Sequence, residues 1–310
     1  MADNSDLVGH KVFFVGADAG LIPDVFLEDL IIYGIESYRI HETSTKAMLQ
    51  KLELTAQLFP PSVFFFYIDL PLEGLQWSEL ILKFLKNHQA ESHIGIMYTR
   101  RSMENERLAI ERLYNAMKID CGFIPLNLRR AQNFPFILQH LDSCGVRGQR
   151  KHIRVQCGPS STATFFIREA GRRIPATMMD FSMNHFSCII NEDIMPPYDT
   201  YEDVLIQANG LRFRTDCKKI MERDSEVGKL FVFVFLQKDG TTGLEDDTRF
   251  KVQSKIYELS TEETKNMQQE AFSEFLKRKR DGISLEALCT QAVQEVRLNT
   301  DKHQSSVSHP

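Results

Sequence analysis

The stretch Arg150-Lys-His-Ile-Arg-Val-Gln-Cys157 stands where the chain changes from alternating helix and strand patterns to strand patterns alone. Its two arginines, four residues apart, can present planar guanidinium groups to one anionic ligand. A second polar motif, Asp180-Phe-Ser182, begins 26 residues after Arg154. An Asp and a Ser two residues apart project from the same face of a strand. Together the motifs predict a nucleotide-binding surface on a β-barrel.

The bulk composition excludes several classes of protein. The chain has 310 residues, of which 43% are apolar and 25% charged, enough for two hydrophobic cores. A net charge of -5 gives no electrostatic reason to bind nucleic acid polymers or anionic membranes. The polar start from Met1 to Asp6 does not have the pattern of a secretory signal, and no apolar run reaches the roughly 20 residues that span a bilayer. We therefore expect a cytoplasmic protein.

The six cysteines contain no C-x-x-C pair, which argues against a zinc ribbon or a dithiol redox site. Reduced thiols in the cytosol are the simplest interpretation. His185 and Cys188 are of metal-ligating type, but two side chains do not complete a tetrahedral site. The sequence predicts neither a metal nor a cofactor.

Apolar strand runs alternate with amphipathic helical stretches over the first 125 residues, as in a parallel sheet covered by helices. This pattern predicts a doubly wound α/β domain. The predicted strands are Lys11 to Gly16, Ser62 to Ile68, His93 to Tyr98 and Cys121 to Ile124, and the predicted helices are Pro23 to Ile32, Trp77 to Leu85 and Met103 to Met117.

From Ile153 onward seven short strand runs separated by turn residues predict an all-β barrel. Ser260-Thr-Glu-Glu263 has the pattern of a capping box, so a closing helix is predicted to start at Ser260. Ile283 to Leu298 forms a further amphipathic helix, which we expect to pack on the barrel or on a second copy of the chain. The predicted boundaries are a domain over 1-142, a flexible linker over 143-149, a barrel with its helix over 150-282, an extra helix over 283-298 and a disordered tail over 299-310.

Residues 9 to 142 resemble the receiver domains of two-component systems, whose phosphoacceptor Asp follows the third strand. Asp69 matches that position and Thr99 matches the hydroxyl position after the fourth strand. The acidic pair of the family is reduced to Asp18, and Ile124 stands where the family has a Lys. The resemblance therefore implies a pseudo-receiver used for docking or regulation. The alternative for Asp69 is that it caps the loop that follows.

Residues 147 to 280 resemble the PilZ domain family, which has an R-x-x-x-R motif, a [D/N]-x-S-x-x-G motif, a barrel and a closing helix. The resemblance implies binding of cyclic di-GMP. By family role, Arg150 and Arg154 would clamp guanine and phosphate, Asp180 would accept hydrogen bonds from a guanine edge, and Ser182 would contact the ligand. His185 stands where the family has glycine. Its bulk would weaken binding, or its imidazole would stack on a guanine.

Each motif also has a plainer interpretation. Arg150 and Arg154 would otherwise form a solvated basic linker, and Asp180 and Ser182 a turn that bonds its own backbone. Arg168 and Arg172 form a second R-x-x-x-R match. Asp180, Ser182 and His185 are also the residue types of a hydrolytic triad, but six residues of strand and turn give poor geometry for one.

The sequence therefore predicts a non-enzymatic cyclic di-GMP effector whose ligand changes domain orientation and the interaction with a protein partner. That partner would bind the receiver-like domain or the C-terminal helices, where Lys277 to Arg280 is strongly basic. The alternative is an adaptor of the same fold that binds proteins without ligand.

Overall fold

The computed structural model describes residues 9–42, 44–71, 76–88, 92–99, 103–117, 119–127, 130–167, 171–190, 198–225, 228–278, 287 and 289–297. They fall into two compact units. The first contains the residues up to Lys151 together with those from Thr261 onward, and the second contains His152–Ser260. The predicted linker between 143 and 149 belongs to the first unit.

A five-stranded parallel sheet with the order β2-β1-β3-β4-β5 forms the centre of the first unit. Its strands are β1 (Lys11–Val15), β2 (Ser37–Ile40), β3 (Ser62–Tyr67), β4 (Ser92–Thr99) and β5 (Phe123–Leu126). Its helices are α1 (Asp24–Ile32), α2 (Thr45–Leu58), α3 (Trp77–His88), α4 (Glu104–Asn115) and α5 (Asn133–Ser143). Parallel strands need crossover helices, and this strand order confirms the predicted doubly wound domain.

Alternate strand residues point to the two faces of the sheet. Phe13, Phe64 and Phe66 are completely buried in a cluster that also contains residues of α2 and α3. On the other face, Phe26 of α1 contacts Phe134 of α5. Burial on both faces explains why the strands appear in the sequence as continuous apolar runs.

Helical residues between Ala271 and Val296 pack into the core of this first unit. Ala271 and Phe275, and the helical residues Cys289, Ala292 and Val296, are buried in the same cluster as the α2 and α3 side chains. This differs from our expectation that the final helix packs on the barrel or on a second copy. Apolar side chains three and four residues apart form one face of a helix, but the spacing does not identify the surface that this face covers.

The second unit is a closed antiparallel barrel. Its strand order is β6-β8-β7-β10-β11-β12-β9, and an additional pairing of β8 with β9 closes the circle. The strands are β6 (Val155–Gln156), β7 (Thr162–Ile167), β8 (Arg172–Phe181), β9 (His185–Ile190), β10 (Thr200–Ala208), β11 (Leu211–Ser225) and β12 (Gly228–Leu236). Phe165, Phe186 and Phe233 stack in the interior. The predicted barrel is confirmed.

The long helix α6 (Asp246–Arg278) starts 14 residues before the predicted capping box at Ser260. Ser260 is buried within this helix, so its pattern does not mark a helix start. The first turn instead carries Asp246 and Asp247, whose negative charges are favourable at a helix N-terminus. No helix among the described residues combines the length and apolar character that a bilayer span requires. Lys279, Arg280 and the predicted tail 299-310 lie outside the described residues.

Candidate ligand-binding site

Arg154 and Asp180, one from each polar motif, meet at one edge of the barrel. The short strand β6 pairs with the end of β8, with Gln156 opposite Asp180. This pairing brings Nη1 of Arg154 to 3.8 Å from Oδ1 of Asp180, with the two side chains 35% and 23% exposed. The contact is an ion pair that is too long for a strong hydrogen bond. Both groups therefore keep unused hydrogen-bonding capacity toward solvent or a ligand.

Ser182 forms the turn between β8 and β9. Its main-chain N–H donates to the carbonyl of His185 at 2.8 Å, and its hydroxyl accepts from the N–H of His185 at 3.1 Å. The residue is only 1% exposed. The interpretation of Ser182 as a residue that bonds its own turn is confirmed, and its contact with a ligand stays a prediction.

His185 begins β9, opposite Val234 of β12. Burial lowers the pKa of His185, and the charges of Arg154 and His152 lower it further, so the ring is neutral at pH 7. Glycines apart, Asp203 and Asn209 are the residues with positive φ in the described parts of the chain. His185 therefore occupies the expected glycine position without the backbone conformation that would require glycine.

Arg150 lies in the first unit, whereas Arg154, Asp180, Ser182 and His185 lie in the second. Arg150 is exposed. The backbone beside it packs closely against Gly34, which has a φ of +73°. A Cβ atom on Gly34 would lie only 2.7 Å from the carbonyl oxygen of Lys151. The start of the motif is therefore docked on the first unit, whereas the glycines in the sequence predicted a flexible linker.

The structure adds His152 to the predicted residues. His152 lies between the two arginines in sequence, is half-buried, and is close enough to His185 to lower its pKa. In an extended chain the side chains of residues 150, 152 and 154 project to the same side, and this two-residue alternation was the signal that could have identified it.

Asp180, Ser182 and His185 do not form a hydrolytic triad. The Ser182 hydroxyl donates to the main-chain carbonyl of His185 at 3.3 Å rather than to its imidazole. The Asp180 carboxylate faces Arg154. A triad needs serine bonded to imidazole and imidazole bonded to carboxylate. The described geometry therefore offers binding groups and no activated nucleophile at this edge.

In the first unit, whose sequence resembles receiver domains, Asp69 accepts a 2.8 Å hydrogen bond from the main-chain N–H of Thr99. The hydroxyl of Thr99 is 2.8 Å from that of Tyr67. Asp18 accepts from the N–H groups of Gly20 and Leu21 in its own loop. Ile124, at the position of the family's lysine, is completely buried. The residues at the predicted phosphoacceptor positions therefore make structural contacts with neighbouring backbone and hydroxyl groups.

No protein-family model matches the chain, and no curated protein matches it. Among solved structures, it is similar to "PilZ domain with c-di-GMP of YcgR from Escherichia coli", with 14% identity and a TM-score of 0.30, over 38% of this chain and 96% of that one. Crystalline YcgR of Escherichia coli in complex with c-di-GMP gives 12% identity and a TM-score of 0.33, over 39% of this chain and 50% of that one.

The inhibitor of motility MotI/DgrA of Bacillus subtilis gives 7% identity and a TM-score of 0.27, over 35% of this chain and 49% of that one. The chain thus spans about half the length of this protein and of the YcgR chain in complex with c-di-GMP. PilZ domains, the family that the two polar motifs resemble, are among the structures similar to this chain.

Proposed function

We propose that this protein is a non-enzymatic effector that binds cyclic di-GMP through Arg150, Arg154, Asp180, Ser182 and His185. The proposal rests on the meeting of Arg154 with Asp180, 3.8 Å apart and partly exposed, next to the neutral ring of His185. An arginine donates bidentately to guanine O6 and N7 or to phosphate, and a carboxylate accepts from the opposite guanine edge. A neutral imidazole offers a flat face on which a purine stacks.

The resting ion pair supports an exchangeable site. A partly exposed pair at this separation contributes only about 0–1 kcal/mol, because solvent screens it. A ligand with phosphodiesters and guanine edges would offer Arg154 and Asp180 shorter hydrogen bonds than they make with each other. Little stability would be lost when Arg154 turns from Asp180 to the ligand.

The response to ligand binding would depend on the position of the two arginines in the chain. Arg150 is grouped with the receiver-like unit and Arg154 with the barrel. A ligand held by both would change the orientation of the units and thereby the binding of a protein partner in the cytoplasm. The partner would dock on the receiver-like unit or on the C-terminal helices.

Isothermal titration of the full chain with cyclic di-GMP tests the proposal, with cyclic di-AMP as the control for base recognition. We expect saturable binding of cyclic di-GMP alone. The Arg154→Ala variant should lose that binding, and the matched control Arg173→Ala should keep it, because Arg173 is an exposed arginine of β8 far along the strand from Asp180. If titration of the full chain gives no saturable heat, cyclic di-GMP is not its ligand.

A ligand-independent adaptor is the second candidate. The observation that favours it is the Ser182 hydroxyl, which is buried and already bonded to its own turn. If this candidate holds, a copurifying protein partner would be retained equally with and without cyclic di-GMP. Equal retention by wild type and Arg154→Ala would support the adaptor, and ligand-dependent retention would exclude it.

A further inference from the structure

Two cysteines of the receiver-like unit meet although they are 23 residues apart. Cys121 precedes β5, and Cys144 caps the C-terminal end of α5. The Cys144 thiol donates to the main-chain oxygen of Cys121, with 3.6 Å between sulfur and oxygen. Both are free thiols. In the described parts of the chain, the other cysteines make no thiol hydrogen bond to one another's main chain like that between Cys144 and Cys121.

The two backbones are fixed by their neighbours. The N–H of Cys121 donates to the carbonyl of Ile94 at 2.9 Å, which extends the pairing of the sheet. The N–H of Cys144 donates to the carbonyl of His140 at 3.0 Å in the last turn of α5. Because these bonds hold both main chains, the Cys144 sulfur stays beside residue 121.

The two thiols have different environments. Cys144 is half-buried, and the neighbouring Cys121 thiol lowers its pKa, which favours the thiolate. Cys121 is only 4% exposed, and the neighbouring Cys144 thiol, together with burial, raises its pKa. An accessible thiolate beside a buried thiol is the arrangement in which the first attacks an oxidant and the second resolves the product.

We propose that Cys121 and Cys144 form a reversible intramolecular disulfide by exchange with a small-molecule disulfide. The Cys144 thiolate attacks one sulfur of the disulfide RSSR, which forms a Cys144–SR bond and releases RS⁻. Cys121 then loses its proton and attacks the Cys144 sulfur, which displaces the second RS⁻. Two protein thiols are oxidised and one RSSR is reduced to two RSH. The product closes a chain segment that contains β5 and α5.

Incubation of the full chain with excess glutathione disulfide, followed by unfolding in urea with N-ethylmaleimide so that buried thiols are also labelled, and mass spectrometry, tests this site. We expect four labelled cysteines and one cross-link between the peptides that contain Cys121 and Cys144. Dithiothreitol should return all six thiols. Cross-linking should also raise the melting temperature, because it restricts the unfolded chain.

The cysteine variants separate the two chemical steps. Cys144→Ser should abolish the cross-link, and Cys121→Ser should leave a stable glutathione adduct on Cys144. The control Cys157→Ser, in the barrel, should cross-link like the wild type. Six labelled thiols in oxidised wild type, or a glutathione adduct on wild-type Cys144 without cross-linking, would overturn the proposal. The wild-type result decides even if a variant fails to fold.

Discussion

Arg297 donates a 2.7 Å hydrogen bond to the main-chain carbonyl of Gln57, a residue 240 positions earlier in the chain. A second guanidinium bond, of 3.3 Å, reaches the carbonyl of Leu58 at the end of α2. The last carbonyls of a helix have no partner within the helix and carry partial negative charge. The C-terminal helical segment therefore caps the end of α2 in the first unit.

We expect Arg297→Ala to lower the free energy of unfolding by about 1 kcal/mol, since it removes a charge-assisted bond at a partly exposed helix end. Arg297→Lys should recover part of this loss, because an ammonium can reach only one of the carbonyls well. The control Arg249→Ala should have a smaller effect, as its ion pair with Asp246 lies within a single exposed helical turn. Urea denaturation of the full chain measures all three, and equal effects of Arg297→Ala and Arg249→Ala would contradict the capping role.

The sequence predicted the elements whose burial leaves a local pattern. Completely buried strands such as β3 are continuous apolar runs, and they were found nearly to the residue. The edge strand β2 was missed, because its four residues, S-Y-R-I, include Arg39 and are too few to show a pattern. The start of α6 was misplaced, because a capping-box pattern inside a helix becomes a buried helical turn once a tertiary neighbour covers it.

The candidate site was likewise predictable only where a local pattern of residues indicates it. The two motifs were assigned to one site from the sequence, but the pairing of β6 with β8, which brings Arg154 to Asp180, was not predicted. The direction of the Ser182 hydroxyl depends on the geometry of the hairpin, which a spacing of two residues does not determine. The packing of Cys289 and Val296 could not be predicted either, because an apolar stripe does not specify its partner surface.

Gly34 provides a test of the docked start of the Arg150 motif. Gly34→Ala should destabilise the protein by the left-handed strain of about 1–2 kcal/mol and by a further clash, because the new Cβ would lie 2.7 Å from the carbonyl of Lys151. Gly145→Ala is the matched control, with a φ of +65° and open space around the new Cβ. Chemical denaturation should therefore show a clearly larger loss at Gly34. Equal losses would mean that residue 151 moves away at no cost.

His185 should make the barrel sensitive to acid. Its folded-state pKa is lowered by burial, Arg154 and His152, so the unfolded chain binds this proton more tightly than the folded one. Its contribution to stability is therefore complete above the unfolded pKa of about 6.5 and is lost as the pH falls through the folded value. The His185→Gln variant should lose less stability than the wild type between about pH 7.5 and pH 5, the range around that unfolded pKa. The exposed His41→Gln control should follow the wild-type curve, and a parallel curve for His185→Gln would contradict the assignment.

Asp69 should resist phosphorylation. Its carboxylate is bonded to the N–H of Thr99, Asp18 is bonded within its own loop, and Ile124 offers no cation for an acyl phosphate. Intact-mass measurement after incubation with acetyl phosphate and Mg²⁺ should show an unmodified chain. A phosphoryl adduct on the wild type that is absent from Asp69→Asn would instead identify an active receiver.

Replacing Arg154 should affect ligand binding much more than the stability of the fold. The Arg154→Ala variant should unfold within about 1 kcal/mol of the wild type, because its ion pair with Asp180 is long and partly exposed. The same variant should bind cyclic di-GMP at least about tenfold more weakly, since a charged hydrogen bond to a ligand contributes about 1.5–3 kcal/mol. Urea denaturation and calorimetric titration of the same sample measure the two effects together. A large loss of stability would mark Arg154 as a structural residue of the barrel edge, and unchanged affinity would remove it from the proposed site. Asp180→Asn completes the comparison: it keeps an acceptor for guanine but adds a donor, so we expect weaker binding with little change in stability.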